Sequence, residues 1–201
     1  RIVTRYPDLL IEGCSGGGGR FDAGMMYYTP QIWCSDNTDA LDRLQIQYGT
    51  SFGYPVSAVG SHVSAVPNHQ TGRITSLHTR GVVAEEKQEI RLQVEEYRKF
   101  APLIQTGLYY RLSDPAREEY AAWAFVSEDQ KEVLLNVVLQ EIHGNMTVNY
   151  VKLQGLKCSA IYRDTETGKT YNGAALMEAG IPMPVEMGEF KAYQMHLTAE
   201  E

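Results

Sequence analysis

The residues of this chain whose types and spacing could do chemistry fall between positions 8 and 80. Cys14 precedes the run Gly16-Gly17-Gly18-Gly19, with Arg20 and Asp22 just after it, and Trp33 precedes Cys34, Ser35 and Asp36. A tryptophan ring offers a flat apolar face of the kind on which sugars stack. Asp36, partly desolvated beside that ring, could act as a general acid. Glycines without a Cβ let backbone N–H groups approach a ligand closely. Each feature also has a plain structural reading: the glycine run as a flexible turn, Asp36 as the N-cap of a following helix, and Trp33 as core. The run lacks the order of a phosphate-binding loop and has no Lys after it. His62 and His69 flank Pro67-Asn68, but with no third ligand candidate nearby a metal site there is disfavoured. Spacing alone supports a site at strand ends and names no reaction.

The elements that would position these residues read as strand, loop and helix. Leu9, Leu10 and Ile11 form a short apolar run that breaks into the glycines, which fits a buried parallel strand running on to Cys14. A second strand is expected over residues 31–34, ending at Ser35-Asp36-Asn37-Thr38. The two should be parallel neighbours, because a βα unit of this length joins adjacent strands. Asp36 and Cys14 should then share one end of the sheet, where α/β architectures gather their sites. Leu41, Leu44 and Tyr48 recur at helical spacing, with Asp39 and Asp42 as solvated carboxylates of the first turn. Residues 85–100 predict a helix with Ile90, Val94 and Tyr97 on one face and Pro102 as its stop.

From Gly107 onward the texture changes to short alternating runs with turns between them. Strands are predicted around residues 123–126, 133–139 and 149–153, and residues 161–171 read as a hairpin turning at 165–168. Trp123, Phe125, Leu135, Val137, Val151 and Leu153 are expected to face the interior of an antiparallel sandwich. The resulting division is 1–106, α/β, and 107–201, all-β.

The 201 residues suit one or two globular domains but fall short of the ~250 of a complete (β/α)8 barrel. With a net charge of -7 and scattered Lys and Arg, nucleic acid is not an expected partner. No apolar run approaches the ~20 residues of a membrane span, so no membrane partner is expected. Residues 1–8 lack a secretory signal pattern, an observation of little weight if the chain starts in mid-protein. Three irregularly spaced cysteines suggest a reducing, cytoplasmic compartment.

Residues 7–22, through Ile11-Glu12-Gly13-Cys14-Ser15 and the glycine run to Phe21-Asp22, resemble the segment of family 36 α-galactosidases that lines the galactose subsite. Residues 25–39, through Ile32-Trp33-Cys34-Ser35-Asp36-Asn37-Thr38-Asp39, are similar to the stretch carrying that family's acid/base aspartate. Residues 46–50 and 60–73 continue the similarity, which persists to His196-Leu197.

The resemblance implies the C-terminal part of a (β/α)8 barrel followed by a β-sandwich. Asp36 would be the acid/base, Trp33, Cys14 and Gly16 would contribute to the galactose subsite, and Arg20 and Asp22 would touch substrate or brace the loop. The whole protein would be a retaining hydrolase of terminal α-1,6-galactosides such as raffinose and melibiose, needing no metal or organic cofactor. One carboxylate attacks the anomeric carbon; the other protonates the leaving oxygen and later activates water. The family's nucleophile, in a Lys-Trp-Asp-type strand, has no counterpart here, since the only tryptophans are Trp33 and Trp123. The chain alone should therefore be inactive without its upstream half, and a homo-oligomer is implied. The family's Gly-rich connection after residues 80–84 is also missing, so that Ala84 runs straight into Glu85; either the chain has a true deletion there or its numbering closes over absent residues. Two alternatives stand beside hydrolysis: a galactosyl-transferring relative of the raffinose or stachyose synthase type, and a non-catalytic carbohydrate-associated assembly module.

Overall fold

Two short strand ends organise the first half of the chain, and a six-stranded sheet organises the second. The computed structural model describes residues 1–19, 21–60, 84–141, 147–185 and 191–200. It divides into two units, residues 1–89 and 90–201. His62 and His69 lie outside the described residues.

In the first unit the elements are helix α1 (Ile2–Arg5), strand β1 (Glu12–Gly13), the helical turn α2 (Ser15–Gly18), α3 (Ala23–Met26), β2 (Gln31–Ile32) and α4 (Ala40–Thr50). A 3-10 turn, Val56–Ala58, follows, and α5 (Ala84–Thr106) begins here and runs on into the second unit. As expected, β1 and β2 are parallel neighbours, with Glu12 opposite Gln31 and Gly13 opposite Ile32. On the other edge of β2, Ile32 forms a parallel bridge to Val59, and the Gly60 N–H donates to the Ile32 carbonyl at 2.8 Å.

The strand expected from Leu9 is confined to Glu12 and Gly13, and Leu10 is 88% exposed. An apolar run becomes a strand only where a neighbouring edge takes up its backbone groups, and β2 reaches no further back than Glu12. In α4 the buried residue is Arg43 rather than a member of the leucine stripe. Asp39 is likewise buried, at the N-cap, and accepts from the N–H groups of Leu41 and Asp42. It is therefore not the solvated first-turn carboxylate expected from sequence.

Pro102 does not stop α5, which continues to Thr106. Proline inside a helix removes one hydrogen bond and costs about 3 kcal/mol. Against that, Phe100 and Leu103 on either side of it are buried, and the Gly107 N–H closes the helix on the Leu103 carbonyl at 2.8 Å. Val94 and Tyr97, two of the three residues expected on one face, are 41% and 55% exposed.

The second unit continues with β3 (Leu108–Arg111), β4 (Tyr120–Val126), β5 (Glu132–Leu139), β6 (Tyr150–Val151), β7 (Ile161–Asp164), β8 (Thr170–Asn172), α6 (Gly173–Glu178), β9 (Ile181–Pro182) and β10 (Ala192–Ala199). Six strands form an antiparallel sheet in the order β3-β4-β5-β10-β7-β8, and β6 pairs with β9 in a separate ribbon. The predicted hairpin is β7–β8. One sheet face presents Ala122, Ala124, Val126, Val133, Leu135, Val137, Tyr162 and Leu197 to Val151 and Ile181 of the ribbon and Leu176 of α6.

The pairing of Trp123 with Asn136 and of Phe125 with Leu134 corrects one expectation. With a side-chain period of two, Trp123 and Phe125 lie on the opposite face from Leu135 and Val137. Phe125 is buried there beside Tyr109, with ring centroids 5.4 Å apart, whereas Trp123 is only half-buried. Phe100 of α5 meets His196 edge-on at 5.0 Å. Among the described residues no helix is long and apolar enough to cross a membrane.

Candidate functional site

Parallel pairing of β1 with β2 delivers Cys14 and Asp36 to one end of the same short sheet. The Cys14 Sγ–H donates to Asp36 Oδ1 at 4.0 Å, a weak contact that puts a soft, polarizable atom beside the carboxylate. Asp36 and Cys14 are exposed. The partial desolvation expected of Asp36 is thus not supplied by the described residues. Trp33 is half-buried on the strand end itself, and its N–H donates to the Gly13 carbonyl at 2.8 Å. That bond extends the ladder one step and fixes where the chain carrying Asp36 leaves the sheet.

The glycine run serves this junction more than it serves backbone exposure. Gly16, Gly17 and Gly18 all adopt positive φ, which side chains with a Cβ rarely enter. The turn so formed folds back on the second strand end. A Cβ on Gly17 would stand 3.0 Å from the Asp36 nitrogen, and Gly18 packs as tightly on the backbone of Cys34. Gly16, by contrast, faces open space.

Asp36 does not cap α4; Asp39 does. The intervening loop is tied by its own polar groups. The Asn37 N–H donates to Ser35 Oγ at 3.1 Å, the Asp39 N–H to Asn37 Oδ1 at 2.9 Å, and Asn37 Nδ2 to Asp42 Oδ2 at 2.7 Å. Arg43 then crosses beneath, its Nη1–H donating to the Ser35 carbonyl at 3.1 Å and its Nη2–H to the Gly60 carbonyl at 2.8 Å. The Nε–H of Arg43 is buried and has no acceptor among the described residues. Sequence reading missed Arg43. The available signal was a cation in the first turn of a helix, where the dipole disfavours it.

Asp22 is engaged at the start of α3. It caps α3, accepting the Met25 N–H at 2.9 Å. Beside it the Phe21 carbonyl receives the Tyr54 hydroxyl, and the two rings stack with centroids 3.7 Å apart. Arg20 lies outside the described residues. Among the described residues no cluster of three His, Cys, Asp or Glu side chains could hold a metal ion. What the mouth assembles is one carboxylate, one thiol and one aromatic edge on a braced loop. That set can move a proton at a ligand resting on it.

Comparison with known proteins gives this arrangement a family context. The family model for Melibiase matches residues 1–107, and that for the glycosyl hydrolase family 36 C-terminal domain matches residues 120–197. The bifunctional alpha-galactosidase/sucrose kinase AgaSK of Mediterraneibacter gnavus is 58% identical over 214 residues, covering 98% of this chain and 23% of that protein. The alpha-galactosidase AgaA of Geobacillus stearothermophilus is 45% identical over 98% of this chain and 29% of its own length. Among solved structures, the galactosidase domain of AgaSK superposes with a TM-score of 0.92 at 56% identity, covering 100% of this chain and 30% of that one. A substituted AgaA crystallised with raffinose superposes with a TM-score of 0.91 at 43% identity, covering 99% of this chain and 30% of that one. The chain thus spans less than a third of the relatives it matches. The aligned length of 214 positions exceeds the chain's own 201 residues, so the relative carries residues with no counterpart here.

Proposed function

Because this chain belongs to the Melibiase family of glycoside hydrolases, family 36, we propose that it is the C-terminal part of an α-galactosidase that cleaves terminal α-1,6-linked galactose with retention. On this reading residues 1–106 complete a (β/α)8 barrel and residues 107–201 form the β-sandwich that follows it. The rest of the barrel covers the exposed Leu9 and Leu10 and encloses the exposed mouth. Asp36 is the acid/base, first protonating the glycosidic oxygen and then, as the carboxylate, taking a proton from the attacking water. The upstream part supplies the nucleophile ~5–5.5 Å away across the sugar, the separation that retention requires. Trp33, Cys14 and Gly16 line the galactose subsite.

The observation that carries the proposal is the meeting of Cys14 with Asp36 at 4.0 Å across two parallel strand ends, within the segment that the Melibiase model matches. The supporting likeness is to an AgaA structure holding raffinose and another holding stachyose.

The test uses the complete protein with Asp36→Asn. General acid–base help is worth ~10²–10⁴-fold, so turnover of melibiose should fall by that order. Nitrophenyl α-galactoside, which needs no protonation to leave, should retain its first step, and azide should restore the second. Equal losses on both substrates without azide rescue would remove Asp36 from the role.

A further inference from the structure

Arg43 is the buried cation nearest in sequence to the site, and the activity proposed for Asp36 gives it no part. Its guanidinium reaches two backbone carbonyls on different segments: Ser35, in the loop leaving β2, and Gly60, beyond the bridge to Val59. The Ser35 carbonyl belongs to the planar peptide whose nitrogen is that of Asp36. Holding that oxygen therefore fixes the peptide plane from which the Asp36 Cα departs. Gly17 approaches the same peptide closely enough that a Cβ added to it would stand 3.0 Å from the Asp36 nitrogen. Gly60 is itself anchored, its N–H on the Ile32 carbonyl. Arg43 thus ties the loop carrying Asp36 to the far edge of β2.

We propose that Arg43 is a positioning residue for acid catalysis by Asp36: its forked donors pin the Ser35–Asp36 peptide to the Gly60 carbonyl beside β2. The proposal rests on the acid/base reading of Asp36 and adds what holds that carboxylate in place. Two carbonyls on separate segments call for a planar fork with fixed donor directions, whereas a lysine ammonium is a single point on a flexible stem. Arg43→Lys keeps the charge and loses the span.

Loosening the peptide displaces the carboxyl that must reach the leaving oxygen, and a misplacement of ~1 Å costs about 10²-fold. The loss should fall on the step that needs the proton. In the complete protein, with active sites counted by burst titration, Arg43→Lys should lower kcat on melibiose by about 10²-fold and on nitrophenyl α-galactoside by less than about tenfold. Equal losses per active site on both substrates, or none, would overturn the proposal, because a residue serving stability alone lowers the number of active sites rather than the ratio between substrates. If Arg43→Lys does not fold, Gly60→Ala tests the clamp from its other end. A Cβ there meets the flexible Gln31 Nε2 at 3.1 Å and the Ile32 carbonyl at 3.3 Å, so the contact between Gly60 and the β2 end is loosened by a few tenths of an ångström. The same bias between substrates is expected, smaller in size, and its absence again counts against the clamp. Asp36→Asn, measured alongside, separates the two ideas. If it shows the bias and the Arg43 and Gly60 variants do not, only the clamp fails; if Asp36→Asn lacks the bias, both fail.

Discussion

Gly18 lies so close to Cys34 that a Cβ added to it would stand 2.8 Å from the Cys34 carbonyl oxygen and 3.0 Å from its Cα. The contact is backbone on backbone, at φ +91°, and neither side has a flexible atom to move. The strand end bearing Asp36 is therefore pressed into place by the turn after β1.

Gly18→Ala should accordingly damage the site as well as the fold. Strain at a disfavoured φ costs of order 1–3 kcal/mol, and displacement of the strand end should lower kcat/KM of the complete protein by about 10²-fold. Thermal unfolding together with kinetics on melibiose, whose leaving group needs the proton, reads both effects. An alanine that leaves both unchanged would mean the two strand ends are not packed as described.

Asp39 and Asp22 both cap helices, but in different surroundings. Asp39 is buried at the head of the eleven-residue α4, whereas Asp22 caps a four-residue turn. Asp39→Ala should lower stability by about 1–2 kcal/mol, the upper part of the range for lost caps, and Asp22→Ala by about 0.5 kcal/mol. Urea unfolding of the two variants checks the order, which should not reverse.

Asp164, at the turn of the β7–β8 hairpin, gives a pH dependence of known sign. Burial pushes its carboxyl up, but the Thr167 hydroxyl and the N–H of Glu166 donate to it, and together with nearby Lys169 they hold it below the usual carboxylate value. A group depressed in the folded state stabilises above its unfolded pKa, about 3.9, and loses that contribution as pH falls through its folded value. Wild type should therefore exceed Asp164→Asn in stability at pH 7, and the gap should narrow below about pH 4. A gap that widens in acid would reverse the sign and refute the assignment.

The 201 residues alone should not hydrolyse α-galactosides. Retention needs a second carboxyl ~5–5.5 Å from the first, and of the carboxylates near Asp36 in sequence Asp22 and Asp39 are committed to backbone N–H groups and Asp42 to the Asn37 amide. Nitrophenyl α-galactoside should be inert with the chain by itself and turn over when the upstream part is added. Turnover by the chain alone would show that both members of the catalytic pair are already present.

The parallel pairing of the two strand ends and the meeting of Cys14 with Asp36 were legible because each strand stops at a strong local signal, four glycines in one case and Ser35-Asp36-Asn37 in the other. The hairpin at 165–168 was legible for the same reason. What could not be read was which partner each apolar residue would find. Leu9 and Leu10 look like a strand, yet Leu10 is among the most exposed residues. Val94 and Tyr97 carry the periodicity of α5, while Phe100 and Leu103 are buried. The parity of Trp123 was equally hidden, since Tyr120–Val126 is apolar on both faces and only pairing with β5 decides which side turns inward. Arg43 escaped because it binds carbonyls, which every residue has and no sequence pattern marks.

The place of β10 between β5 and β7 sets the timetable by which the second unit can be made. A ribosome releases β3, β4 and β5 well before residues 192–199, and until those arrive β5 offers a bare edge and the β7–β8 hairpin has nothing in the sheet to join. The hairpin can close early on its own short loop, but the sheet stays in two pieces until β10 is made. Exposed edges of this kind invite pairing with other nascent chains. The demand for chaperoning during translation should therefore be concentrated in the interval before the final strand emerges.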